Sequence, residues 1–307
     1  MQYSVSEAAL SLNLCALCPR DCRVDRAAGT RGPCGLANEP LLAAADVRFR
    51  EERCISGTRG SGMVFLSGCT HACVFCQNYD INLQFKGRKS SVAELADAML
   101  RFQDEHRAHN VHWVSPTQQV PWLLEALANA KERGLALPLV YNTGGWESVE
   151  VLRELDGIVD VYLPDFKFWD DALSWKYVRV PRYAEITRAA ILEMKRQVGD
   201  LVLDRDGIAQ RGLMVRHLVM PDLLEDSGKI FDWIASDLGP QTYVNVMHQY
   251  EPLYRASRHP AIARKTRTDE WRAAMRRARA AGLFRLYRYQ EVEESEQPRV
   301  PVDCLRR

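Results

Sequence analysis

From about residue 60 onward, short apolar runs alternate with stretches of helical periodicity, and this alternation sets the fold class. Candidate strands are 63–66, 111–114, 138–141, 158–163, 213–219 and 242–247. Between and after them, helices fit 91–106, 120–133, 146–155, 182–198, 227–238 and 268–281. Ser91 with Glu94 suits a capping box at the first of these, and Gly134 and Gly282 suit helix ends. Repeated strand–helix units predict an α/β fold with a parallel sheet or barrel. About six units are visible, short of a complete eight-fold barrel. The 307-residue chain is long enough for one large domain with a smaller attachment. Three segments are expected: a Cys-rich N-terminal segment over 1–55, a core over 56–290 and a charged, proline-bearing tail over 291–307.

Cysteine placement comes next. Eight of the nine cysteines fall within the first 76 residues, and Cys304 stands apart as a free thiol. The N-terminus lacks the charged region of a secretory signal, and no apolar run approaches the roughly 18–20 residues of a bilayer span. A cytoplasmic, reducing location is therefore expected, and clustered cysteines there favour metal ligation over disulfides. Cys69, Cys73 and Cys76 form C-x3-C-x2-C directly after the first strand. They offer three thiolates; on a 4Fe–4S cubane that leaves one iron open to bind a substrate or cosubstrate. A zinc site of these three completed by His71 is the competing assignment. Cys15, Cys18, Cys22 and Cys34 form C-x2-C-x3-C-x11-C. Four thiolates suit either structural zinc or a second iron–sulfur cluster. Cys54 is either an alternative ligand or a small buried hydrophobe.

The run GSGMVFLSGCTHACVFCQNYDI at 60–81 on an α/β chain resembles the radical S-adenosylmethionine (radical SAM) superfamily. CALCPRDCRVDRAAGTRGPCG at 15–35, VYNTGG at 140–145, DVYLPDFKF at 160–168, EMKRQVG at 193–199, GLMVRHLVMPD at 212–222 and VNVMHQYEP at 244–252 extend the likeness. Together they resemble the pyruvate formate-lyase activating enzymes in their PflX-like branch. The resemblance implies a partial (βα)6 TIM-like barrel, a 4Fe–4S cluster on Cys69, Cys73 and Cys76, and S-adenosylmethionine on its open iron. It also implies reductive cleavage to a 5′-deoxyadenosyl radical, hydrogen abstraction from a substrate, and a reducing partner such as flavodoxin or ferredoxin. A protein substrate activated at a glycine, or a modified peptide or small molecule, is the implied target.

By position, the resemblance places Asn142, Thr143 and Gly144, Asp165 with Lys167, and Arg216 around the cosubstrate. Many relatives carry Gly-Gly-Glu after the second strand; Ser115-Pro116-Thr117-Gln118 stands there instead, so Thr117 or Gln118 must supply that contact. The additional cysteines precede the motif, whereas many glycyl-radical activators carry theirs after it. Phe75 either shields the cluster or packs near adenine, or is plain core. Asp165 and Lys167 fit a pair reaching into the site or a structural ion pair. Gln249 and Tyr250 close the sixth strand at a substrate mouth or, for Tyr250, in the core. His217 alternates to the opposite face of its strand from Arg216 and reads as structural. Arginines from Arg272 to Arg288 read as a solvated amphipathic face, because 41 basic and 40 acidic residues give no overall charge case for nucleic acid or a membrane surface. The rival of another class is a zinc-stabilised RNA- or protein-binding module.

Overall fold

The computed structural model describes residues 9–289; the tail expected at 291–307, with Cys304, lies outside them. In chain order come β1 (Leu41–Arg48), α1 (Arg53–Ser56), β2 (Ser61–Leu66), α2 (Tyr79–Asn82), β3 (Arg88–Lys89) and α3 (Val92–Asp104). Then follow β4 (Val111–Val114), α4 (Val120–Glu132), β5 (Leu139–Thr143), α5 (Val149–Arg153), β6 (Val161–Pro164), α6 (Asp171–Tyr177) and α7 (Tyr183–Val198). The last elements are β7 (Val202–Leu203), β8 (Ala209–Leu218), α8 (Leu224–Trp233), β9 (Tyr243–Met247) and α9 (Thr268–Ala280). β2, β4, β5, β6, β8 and β9 pair in parallel in that order. These are the six strands expected from the alternation, and the α/β class with a mostly parallel sheet holds.

Side-chain alternation divides the core in two. Trp113, Tyr141, Tyr162, Leu213 and Val215 face the helices in the large outer core. The opposite faces contribute Val140, Val161, Leu163 and Met214 to a separate inner cluster, completed by Cys54 and Ile55 of α1. α1 thus plugs the barrel interior. Cys54 is a buried part of this plug, and burial pushes its thiol up to about 12. Its packing matches the small-hydrophobe alternative.

Local chemistry explains most boundaries. Ser91 accepts from Glu94 N at 3.1 Å while Glu94 accepts from Ser91 N at 2.8 Å, the expected capping box. The helix expected over 146–155 contracts to α5, because Trp146 and Glu147 are buried and Ser148 is the N-cap. α6 was not anticipated; Asp170 caps it by accepting from Ala172 N and Leu173 N at 2.8 and 2.9 Å. β1 runs antiparallel to β2 and extends the sheet into the N-terminal segment.

β2 approaches α3 so closely that a Cβ on Gly62 would stand 2.2 Å from Phe102 Cγ. Gly62→Ala is expected to cost about 1–3 kcal/mol through overpacking. Urea unfolding should show a lower midpoint with an unchanged slope; a midpoint equal to wild type contradicts this packing.

Candidate active site

The three motif cysteines sit on the loop leaving the carboxyl end of β2. Gly68 makes the turn at φ +80°, where a Cβ would collide with the Cys34 carbonyl oxygen at 2.5 Å. The loop is tied across the barrel mouth by Ala72 N to Val178 O at 3.0 Å and Val74 N to Tyr177 O at 2.9 Å. His71 N donates to Cys69 Sγ at 3.5 Å, and Asn82 Nδ2 to Cys76 Sγ at 3.6 Å. Burial pushes the Cys69 thiol up to about 11 and raises Cys73 and Cys76 as well. Lys167 opposes that rise at all three.

The loop offers three thiols in C-x3-C-x2-C spacing, a donor set that suits a cubane with one iron free of protein ligands. His71 packs edge-on against Trp146 and Tyr183, and its Nδ1 lies 3.1 Å from Thr70 Oγ1. Burial lowers it to about 3, with Lys167 and Arg20 adding to the effect, so it is neutral.

Asp165 and Lys167 follow β6 and form a half-buried ion pair. Burial alone would lower the ammonium; Asp165, then Tyr183 and Cys73, outweigh it and hold Lys167 above its ordinary value. Asp165 Oδ1 has no hydrogen bond and stands 3.7 Å from Arg216 Nε. Arg216 also meets Glu51 at 3.3 Å and Glu52 at 3.4 Å. Asn245 donates to Glu52 at 2.5 Å. Two half-buried cations therefore face three carboxylates, with Arg216 Nε and Glu52 Oε2 left without hydrogen bonds. Unpaired buried polar atoms of this kind mark a place where a ligand or water belongs.

Thr117 and Thr143 are both buried and both donate to Glu147, Thr117 at 2.6 Å. The sequence reading passed over Glu147; its Trp-Glu-Ser context reads as an ordinary helix start. Gln118 Nε2 holds Gly68 O at 2.9 Å and Ser115 O at 2.7 Å, leaving its Oε1 unpartnered. Ser115, named in the sequence only as part of its element, sits at φ +53° after β4, strained backbone beside Cys69. Asn142 pairs across β4 and β6 with Val114 and Leu163. Gly144 abuts the His71 ring, and its carbonyl accepts from Tyr183 at 2.9 Å.

Phe75 packs against Tyr250 and Phe168 at ring distances of 5.7 and 6.3 Å. Tyr250 is buried and bonds Ile262 O at 2.7 Å, matching its core alternative. Gln249 is exposed and accepts from Tyr289 at 3.2 Å. His217 is fully bonded, to Phe166 O at 2.7 Å and Ser227 Oγ at 2.8 Å, as expected of a structural histidine. In α9, Arg277 pairs with Asp232.

The sequence profile of the radical SAM superfamily matches residues 63–205, which span the cysteine loop and the strand ends just described. The chain belongs to the radical SAM superfamily. An uncharacterized protein of Methanocaldococcus jannaschii is 31% identical over 281 residues, covering 89% of this chain and 76% of that protein. Among solved structures, Streptococcus suis SuiB bound to its precursor peptide SuiA aligns with a TM-score of 0.47 at 12% identity, over 68% of this chain and 42% of SuiB. SuiB bound to S-adenosylmethionine aligns with a TM-score of 0.45 at 13% identity, over 68% and 44%. The chain thus spans less than half the length of SuiB. Radical SAM membership makes the protein an enzyme and implies a 4Fe–4S cluster and S-adenosylmethionine. No helix among the described residues is long and apolar enough to cross a membrane.

Burial raises Glu147 to about 7, against the hydrogen bonds from Thr117, Thr143 and Tyr141. A raised carboxyl contributes stability that is complete below its ordinary value of 4.5 and lost as pH rises through about 7. That loss is about 3 kcal/mol. Urea unfolding at pH 5 and pH 8 should show Glu147→Gln losing less stability across this interval than wild type. Equal losses contradict the assignment.

Proposed function

We propose that this radical SAM enzyme abstracts a hydrogen atom from a peptide or protein substrate, with a glycine Cα–H of a partner protein as the leading target. The observation that carries the reading is the set of three half-buried cysteines beside Lys167 at the mouth of six parallel strands among the described residues. Cys69, Cys73 and Cys76 would hold the cluster and leave one iron for the cosubstrate. With both bound, the pair supplies reductive cleavage of the sulfonium bond and the radical that follows.

The chain's own groups do the positioning. Lys167 keeps a positive charge beside the thiolates. Arg216 and Asp165 present unfilled hydrogen-bonding atoms to the cosubstrate. Asn142 and Gly144 lie at the β5 end, where ligands of parallel α/β folds bind. Phe75, packed on Tyr250 and Phe168, keeps water from the cluster side. Six parallel strands fall short of the eight that close a full barrel, and an unclosed side favours a peptide or loop as substrate. The likeness of 15–35 and 60–81 to the PflX-like branch supports a reducing partner of the flavodoxin or ferredoxin type and a cytoplasmic location.

Anaerobic protein given S-adenosylmethionine and a chemical reductant should form 5′-deoxyadenosine, and Cys73→Ala should reduce this to the no-enzyme level while retaining wild-type circular dichroism. Equal rates in the two proteins contradict the ligand role. Deuterium from an α-deuterated glycine peptide should appear in 5′-deoxyadenosine. Transfer only from non-peptide substrates contradicts the substrate class.

A further inference from the structure

Four cysteines that the catalytic motif does not use line one pocket together with Arg26 and Gln118. Short backbone links fold Cys15, Cys18 and Cys22 together: Cys15 N to Val24 O and Arg23 N to Cys15 O, both at 3.1 Å, and Asp21 N to Cys18 O at 3.0 Å. Asp21 and Arg23, flanking Cys22, both hold left-handed backbone, at φ 44° and 53°. Such conformations persist where the surroundings over-determine them. Cys34 closes the set from the far side of the loop. A Cβ on Gly32 would stand 3.5 Å from Cys34 Sγ and 3.7 Å from Cys22 Sγ, so both sulfurs border the same small space.

Arg26 is the second, independent observation. It is wholly buried. Its Nε donates to Ala37 O at 3.0 Å, and Nη1 donates to Gln118 O at 2.9 Å and to Cys15 Sγ at 3.7 Å. Its Nη2 has no partner. The guanidinium lies over Trp122 at 5.1 Å. Among the described residues, no carboxylate forms an ion pair with it, although surface arginines elsewhere in the chain do so freely. A buried guanidinium without a counter-charge is strongly unfavourable. Neutral thiols do not supply that charge; metal-bound thiolates do.

We propose that Cys15, Cys18, Cys22 and Cys34 hold a second, fully ligated iron–sulfur cluster whose negative charge is balanced by Arg26. A zinc ion held by the same four thiolates is the outcome that would overturn this assignment. The cluster would lie against the catalytic loop. Arg26 bonds the Gln118 carbonyl, Gln118 Nε2 bonds Gly68 O at 2.9 Å, and Arg20 bonds Thr70 O at 3.1 Å.

The test starts from a chain with Cys69, Cys73 and Cys76 all replaced by alanine, reconstituted anaerobically with iron, sulfide and zinc supplied together. The proposal expects this chain to retain iron and inorganic sulfide in equal amounts, and to lose both on adding Cys18→Ala. Zinc alone, or no metal, overturns it. The wild-type chain gives a check that does not depend on the triple variant folding: Cys18→Ala plus Cys34→Ala should roughly halve its iron content, and unchanged iron overturns the proposal. In a redox titration followed by electron paramagnetic resonance, Arg26→Gln should move the retained cluster to a more negative potential, with Arg26→Lys restoring part of the shift. An unchanged potential overturns the charge-balancing role.

Discussion

The half-buried ammonium of Lys167 is the charge about which the barrel mouth is organised. It lies where β6 ends, pairs with Asp165, and acts electrostatically on Cys69, Cys73, Cys76, His71, Tyr183 and His217. A charge this deep is tolerable only with compensation. Asp165 supplies part of it, and three thiolates at the loop opposite supply more once they are ionised by a metal. The parallel register makes this possible. Asp165 bridges to Arg216 across the β6–β8 edge, and Arg216 pairs with Asn245 of β9. Residues distant in the chain thereby reach one level of the barrel.

The same physical logic recurs at the N-terminal pocket. There Arg26, wholly buried, takes the place of Lys167 as the cation, and again cysteine sulfurs are its ionisable neighbours. The two regions are joined by short polar contacts through Gln118, Gly68 and Thr70. The N-terminal cysteines therefore brace the catalytic loop as well as lining their own pocket. The close fit of Gly68 against Cys34 O makes the brace steric as well as polar.

Much of this organisation was legible from the residues alone. The six parallel strands stood out because they are short, apolar and bounded by turns, and the motif cysteines because their spacing has few other uses. β1 escaped because its Ala-rich LLAAADVR lacks a clear alternation, and only Leu42 in it is buried. α6 escaped because it is seven residues long, too short for a periodic signal, though Asp170 was a readable cap. Glu147 and Arg26 were invisible for a different reason. A carboxylate or guanidinium in a polar stretch looks solvated until tertiary packing buries it. Thr117 and Thr143 were singled out by position, and the fold does bring them together, but on Glu147 rather than around an open space.

The central claim is that three thiolates anchor a cluster at this mouth and leave one iron for S-adenosylmethionine. Mössbauer spectroscopy of anaerobic protein enriched in iron-57, recorded with and without S-adenosylmethionine, tests it most directly. The account predicts that one iron site changes its isomer shift when the sulfonium compound is added while its cluster partners hold theirs. Spectra that superpose with and without the compound would contradict it.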